Sequence, residues 1–227
     1  MAASDLKFGT SGLRGLVVDL QGAAARQWTS AFLGIIDTRS PGEVLIGRDL
    51  RDSSPAIASD CAVGACAAGW RPLDAGTLPT PALAMAAMAR GCPAIMVTGS
   101  HIPEDRNGLK FYLPSGEITK ADEAAIRSAY TASGPFVEPA ECEFATVDVV
   151  QAYLDRYRAF FGTSALTGLR VGVYQQSAVG RDILVELIGA LGATVVPLGR
   201  SERFIPIDTE AHHPRDIELV QGWAQEG

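Results

Sequence analysis

The sequence holds little from which a zinc-type metal centre could be assembled. Its four cysteines, Cys61, Cys66, Cys92 and Cys142, include no C-x-x-C pair and no alternation with histidine. Of the three histidines, His212 and His213 are neighbours ahead of Pro214 and read as loop residues at a helix start, because two adjacent rings rarely hold one ion without a third ligand. Reduced thiols in a cytoplasmic chain are the simplest expectation, with Cys61 and Cys66, five apart in a helical stretch, as small core residues. No apolar run approaches the length of a membrane span; the one over 79–89 ends at Arg90. The first nine residues carry Asp5 and Lys7 and have no apolar core, so they do not read as a signal peptide. Positive charge is also short: Lys and Arg number 19 against 26 Asp and Glu. The net charge of −7 works against a nucleic-acid partner, so any phosphate must be met by a local basic pocket. There is no G-x-S-x-G elbow, no P-loop and no D-x-D-x-D triplet.

What is present is ordinary folding material, 47% hydrophobic and 20% charged with 24 Gly and 13 Pro, in a length that suits two α/β domains. Short β-rich runs alternate with Ala-rich stretches of helical length, the pattern of βα units on a largely parallel or mixed sheet flanked by helices. Strands are predicted over 43–47, 72–77 and 93–97, and helices over 23–37, 54–69 and 80–90. Ser53 or Ser54 with Pro55, and Thr80 with Pro81, serve as their start signals. Thr119 opens a further helix that Gly134 and Pro135 stop, and 134–147 reads as an exposed strand or crossover. A second βα unit follows, with a helix over 149–161, strands over 169–174 and 194–198 about a helix whose Ile183, Leu184, Leu187, Ile188 and Leu191 are expected on one buried face, and a last helix over 214–225. The domains are accordingly 1–150 and 151–227, the second incomplete.

The chemistry concentrates where the apolar strand ending at Val97 runs into Thr98-Gly99-Ser100-His101-Ile102-Pro103. Groups just past the carboxyl end of such a strand face the ligand crevice of an open α/β sheet. Arg106, Asn107, Gly108 and Lys110 follow as a second, cationic turn, and preorganised cations suit a phosphoryl group in flight. On spacing alone, a plain strand-to-loop turn with a solvated charged face accounts for this equally well. The Gly-rich stretch at 8–15 surrounds Arg14 with Thr10 and Ser11, and 47–54 carries Arg48 and Arg51 between a strand and a helix.

Taken together, FGTSGLRG at 8–15, GRDLRDSS at 47–54 and TGSHIPEDRNGLKFY at 98–112 resemble, in order and spacing, the first domain of the α-D-phosphohexomutases. The resemblance covers 7–135 and continues more weakly into the second unit. It implies a phosphosugar mutase in which Ser100 is stored as phosphoserine, phosphorylates a hexose phosphate of the mannose or glucose type, and is rephosphorylated from the reoriented bisphosphate. By the same resemblance Lys110 is the acid/base, Arg14 and His101 surround the reacting phosphate, and Thr10, Ser11, Arg48, Arg51 and Asn107 support the phosphate loop. A Mg²⁺ ion is implied on the Ser100 phosphate oxygen, with its remaining ligands in further domains of the same protein, and a hexose 1,6-bisphosphate as activator. Ile102 departs from the family's Asn, and Tyr174-Gln175-Gln176-Ser177 replaces an Asp- and Gly-rich turn. The chain alone is therefore expected to fold without completing a mutase cycle. A non-catalytic sugar-phosphate binding module stays open as an alternative. A Ser100 hydrolase is disfavoured, since adjacent Ser100 and His101 do not easily adopt triad geometry.

Overall fold

A computed structural model describes residues 6–9, 12–37, 42–205 and 214–225. The N-terminal part runs β1 (Lys7–Phe8), β2 (Leu13–Leu16), α1 (Val17–Leu20), α2 (Ala23–Gly34), β3 (Glu43–Arg48), α3 (Ser54–Ala67), β4 (Arg71–Thr77) and α4 (Thr80–Arg90). It continues through β5 (Ala94–Val97), β6 (Arg106–Leu113), β7 (Gly116–Glu117), α5 (Lys120–Ala132) and β8 (Ala145–Thr146). These strands form one eight-stranded mixed sheet in the order β1-β2-β6-β5-β3-β4-β8, with β7 paired to β6. The β3, β4, β5 and β8 pairings are parallel, and β6 runs antiparallel to both β5 and β2. After α6 (Val150–Phe161) come β9 (Arg170–Gln176), α7 (Arg181–Ala190), β10 (Thr194–Arg200) and α8 (Pro214–Gln225), with β9 and β10 forming a separate parallel pair.

Period-two side-chain alternation divides the core of the large sheet between its faces. Ile95 and Val97 of β5 join Phe32, Ile46, Ile57, Leu109 and Phe111 on the face covered by α2, α3 and α5. Ala94 and Met96 join Leu45, Leu73, Leu83 and Tyr112 on the face covered by α4. Phe32 stacks on Phe111 at 4.7 Å between ring centres, and Trp28 on Tyr130 at 3.8 Å. A fully buried side chain such as Phe32 or Phe111 contributes about 1.5–3 kcal/mol. Gly64 lets α3 close onto α2, for a Cβ there would stand 2.3 Å from the Arg26 carbonyl oxygen.

Three expectations need correction. The segment read as a cationic turn after Ser100 is strand β6, and the Gly-rich turn around Arg14 includes strand β2. The β6 strand lies between two neighbours with both faces largely covered, so its sequence lacks the alternation that marks a half-buried strand. The helix starts also differ. Neither Ser53 nor Ser54 caps α3, because their hydroxyls are engaged by Asn107 and, for Ser54, by Asp49; Thr80 lies inside α4 after Pro79. The Thr119 start is real and forms a capping box with Asp122.

The thiols are the third correction. Cys66 and Cys142 form a disulfide, their Cα atoms 5.6 Å apart across 76 residues of sequence. The crossover before β8 returns over the end of α3 and brings Cys142 there, a closeness that no local spacing could announce. Cys61 and Cys92 are free and buried, and burial pushes the Cys61 thiol up to about 12. Labelling of the unreduced, denatured protein with a thiol reagent should therefore modify two cysteines, and four only after reduction; four without reductant would remove the cross-link.

Candidate active site

Strands β3 and β5 are parallel neighbours, so the segments that leave their carboxyl ends, 49–51 and 98–101, emerge side by side at one edge of the sheet. Asp49 ties them together. Its Oδ1 accepts the Arg51 N–H at 3.1 Å and the Ser54 hydroxyl at 2.6 Å, while Oδ2 accepts the Thr98 hydroxyl at 2.7 Å and the Gly99 N–H at 3.2 Å. The Thr98 Oγ1 in turn accepts the Ser100 N–H at 2.9 Å. A carboxylate with these donors is held in one rotamer, and through Thr98 it fixes the backbone immediately before the serine.

Arg51 does the rest. Its side chain is fully buried, and its guanidinium donates to four carbonyls of the following loop: Ser100 at 3.1 Å and Ile102 at 2.6 Å from Nη2, Pro103 at 2.8 Å and Arg106 at 3.1 Å from Nη1. Nε lies 3.4 Å from Asp49 Oδ2. A Cβ on Gly99 would stand 2.4 Å from the Arg51 Cζ, so this position must be glycine for the guanidinium to occupy its place. The loop so held presents an exposed Ser100 at φ 56°, a left-handed conformation that costs a non-glycine residue roughly 1–2 kcal/mol and survives only where the surroundings dictate it. Ser100 Oγ lies 3.4 Å from His101 Nδ1.

Ser100, His101 and Thr98 border a cavity of about 340 Å³ that Lys110 also lines from β6. The half-buried ammonium of Lys110 has its pKa lowered, first by burial and then by the charge of Arg14, with Glu117 opposing. Arg14 reaches it because β2 pairs with β6, placing Arg14 opposite Gly108. The other wall comes from the second βα unit: Gln176, Ser177 and Phe204 line the same cavity.

Among the residues singled out from sequence, Ser100, His101 and Lys110 thus share one cavity, Arg14 stands beside Lys110, and Arg51 holds the loop. Arg48 is directed elsewhere, pairing with Asp74 at 2.5 Å. Asn107 is buried and serves the scaffold, its side-chain amide donating to Ser53 and Ser54 at 2.9 and 3.0 Å. Thr10, Ser11, His212 and His213 lie outside the described residues. The residues missed were Asp49 and Thr98, although both stand inside quoted motifs; the parallel pairing of the strands that end beside them is the signal that could have joined them.

Residues 5–135 match the family model for phosphoglucomutase/phosphomannomutase, alpha/beta/alpha domain I. The chain belongs to the phosphoglucomutase/phosphomannomutase family. It is 46% identical over 229 residues to a phosphomannomutase of Sinorhizobium fredii, an alignment covering 97% of this chain and 48% of that protein. It is 44% identical over 225 residues to a phosphomannomutase of Salmonella muenchen, covering 98% and 46%. A solved phosphoglucomutase/phosphomannomutase family protein from Burkholderia thailandensis superposes with a TM-score of 0.77 at 25% identity, over 96% of this chain and 49% of the other. The chain spans about half the length of the curated relatives it matches.

The Mg²⁺ that this mutase family implies is not accommodated by these residues alone. Among the described residues no group of three or more His, Cys, Asp or Glu side chains could hold a metal ion, and the one carboxylate in the loop network, Asp49, is engaged by four donors. Nor is any helix of the described residues long and apolar enough to cross a membrane.

Proposed function

We propose that the chain carries the phosphoseryl half of a phosphosugar mutase acting on a hexose phosphate, with residues 1–150 as the domain that bears the loop and 151–227 as a second domain lining the cleft. The observation that carries this reading is Ser100 itself, held exposed at φ 56° on the rim of a cavity whose floor carries the half-buried Lys110. In the transfer, the Oγ–P bond of phosphoserine 100 breaks as a sugar hydroxyl oxygen bonds to phosphorus, and the hydroxyl proton passes to Lys110 in its neutral form. The lowered pKa of Lys110 makes that form accessible. Arg14 and His101 supply positive charge and a donor near the reacting group. The resulting bisphosphate returns its other phosphate to Ser100 Oγ by the reverse of these steps.

The ligands of Mg²⁺ beyond a Ser100 phosphate oxygen would have to come from outside the described residues. For the same reason the chain alone is proposed not to interconvert hexose phosphates. Mannose phosphates are the first substrates to assay, given the relatives' names, and a cytoplasmic location belongs to the same reading.

The test is to incubate the full-length protein with a hexose 1,6-bisphosphate and map the phosphate by peptide mass. Phosphate on Ser100 and on no other hydroxyl is expected. Phosphate mainly on Ser11 or Ser53 defeats the assignment, and tight sugar-phosphate binding with no phosphoprotein at all identifies a binding module instead.

A further inference from the structure

The four carbonyls take the Nη1 and Nη2 donors of Arg51 and Asp49 lies 3.4 Å from Nε, which leaves the two faces of the guanidinium to be covered. Gly99 lies against it from the loop's own side, and the ring of Phe204 stands over Cζ at 4.2 Å. Phe204 does not come from the sheet that carries the loop. It follows β10, in a segment pinned to the end of β9: the Ser201 N–H donates to the Gln176 carbonyl at 2.9 Å and the Ile205 N–H donates to Ser177 Oγ at 2.8 Å. Arg181, also buried, donates to the carbonyls of Gln176, at 3.2 Å, and of Ser201, and to Glu202 at 3.3 Å. The aromatic ring is therefore presented by a built structure of the second unit, onto the residue that holds four carbonyls of the Ser100 loop.

We propose that Phe204 is a positioning residue for phosphoryl transfer, closing the open face of Arg51 so that the Ser100 loop takes its geometry only when the second unit is docked on the first. The physical basis is twofold. A guanidinium over an aromatic face is attracted by the ring quadrupole, more strongly as water is excluded. The same ring keeps water from competing for the four carbonyls, whose bonds to Arg51 strengthen in a dry site. Loop order and inter-unit docking then become one equilibrium, and separation of the units releases the serine from its left-handed conformation. The consequence for catalysis rests on the mutase reading; the coupling between Phe204 and the loop does not.

Hydrogen exchange on the 227-residue chain tests the coupling without any activity. The Ile102 and Arg106 amides are bonded within the loop, to the carbonyls of Gly99 and Pro103, while the Asp49 amide bonded to Val97 reports the sheet edge. Phe204→Ala is expected to speed exchange at Ile102 and Arg106 on the order of tenfold while leaving the Asp49 amide unchanged. Phe204→Tyr should restore the slow rates and Phe204→Leu should not, a pattern that simple loss of apolar packing would not give. Should the Ala variant fail to fold, the Tyr and Leu pair decides alone. Equal loop exchange in the wild type, Leu and Ala variants, or an Asp49 amide that accelerates in step with the loop, overturns the proposal. In the full-length protein the same series should lower kcat in the order Tyr, Leu, Ala with KM little changed. Loop effects without kcat effects would count against the mutase reading and spare the coupling.

Discussion

Arg51→Met is expected to destabilise the protein by about 3–5 kcal/mol, the range for breaking a buried charged pair while its partner stays behind. The substitution removes donors from the carbonyls of Ser100, Ile102, Pro103 and Arg106 and leaves the Asp49 carboxylate without the guanidinium 3.4 Å away. Nothing else within the loop replaces four donors in one plane. Arg51→Lys keeps the charge but offers three donors on a tetrahedral nitrogen, so it should recover only part of the loss. Urea unfolding followed by circular dichroism measures both, with a lowered midpoint at an unchanged m-value marking a true stability change. Gly99→Ala should also destabilise, since its Cβ would lie 2.4 Å from the Arg51 Cζ. Combined with Arg51→Met it should cost less than the sum of the two single changes, because the methionine vacates the space the new methyl needs. A loss below about 1 kcal/mol for Arg51→Met, or strict additivity in the double variant, would show that the loop is held by something other than this guanidinium.

The same contacts explain which parts of the molecule could be read from sequence. Strands β3 and β5 and helices α3 and α4 declare themselves because each is a largely apolar or Ala-rich run with Gly or Pro at or near its ends. Strand β6 does not, for Arg106, Asn107, Gly108 and Lys110 look like a turn until β2 and β5 are seen to pair along them. Ser100 and Lys110 were legible as one site only through the family resemblance; in the fold they meet because β6 runs antiparallel to β5 and returns Lys110 opposite Met96. Arg51 was legible as a support in the same way, but not its mode of action, which depends on carbonyls and therefore on backbone direction. Phe204 and the Cys66–Cys142 link were illegible for a common reason, that contacts between segments distant in sequence leave no local pattern.

Lys110→Met in the full-length protein is expected to reduce turnover on the order of 10²-fold or more, within the range for loss of a general base, while the fold persists. Lysine is a poor base at its ordinary pKa of about 10.4, so the role depends on a lowered value. Burial supplies the largest part of that lowering here, and Arg14, on the paired strand, supplies the next. Arg106, which the sequence places four residues away, is not among the causes. Arg14→Gln should consequently move the acid limb of the pH–rate profile to higher pH, since removing the neighbouring charge makes Lys110 easier to protonate. The same shift has a stability signature that requires no catalysis. A lysine with a native pKa below its unfolded one binds fewer protons folded than unfolded in the window between the two values, so stability rises with pH across that window. The unfolding free energy of the chain, measured from neutral pH up to about 10.4, should therefore rise with pH with a positive slope from this group that Lys110→Met removes. If the variant keeps turnover within about threefold of wild type, Lys110 is not the proton carrier. If instead turnover falls but the pH slope of stability is unchanged, the lysine acts as a fixed positive charge on the phosphate, and the proton must leave the sugar hydroxyl by another group in the cleft.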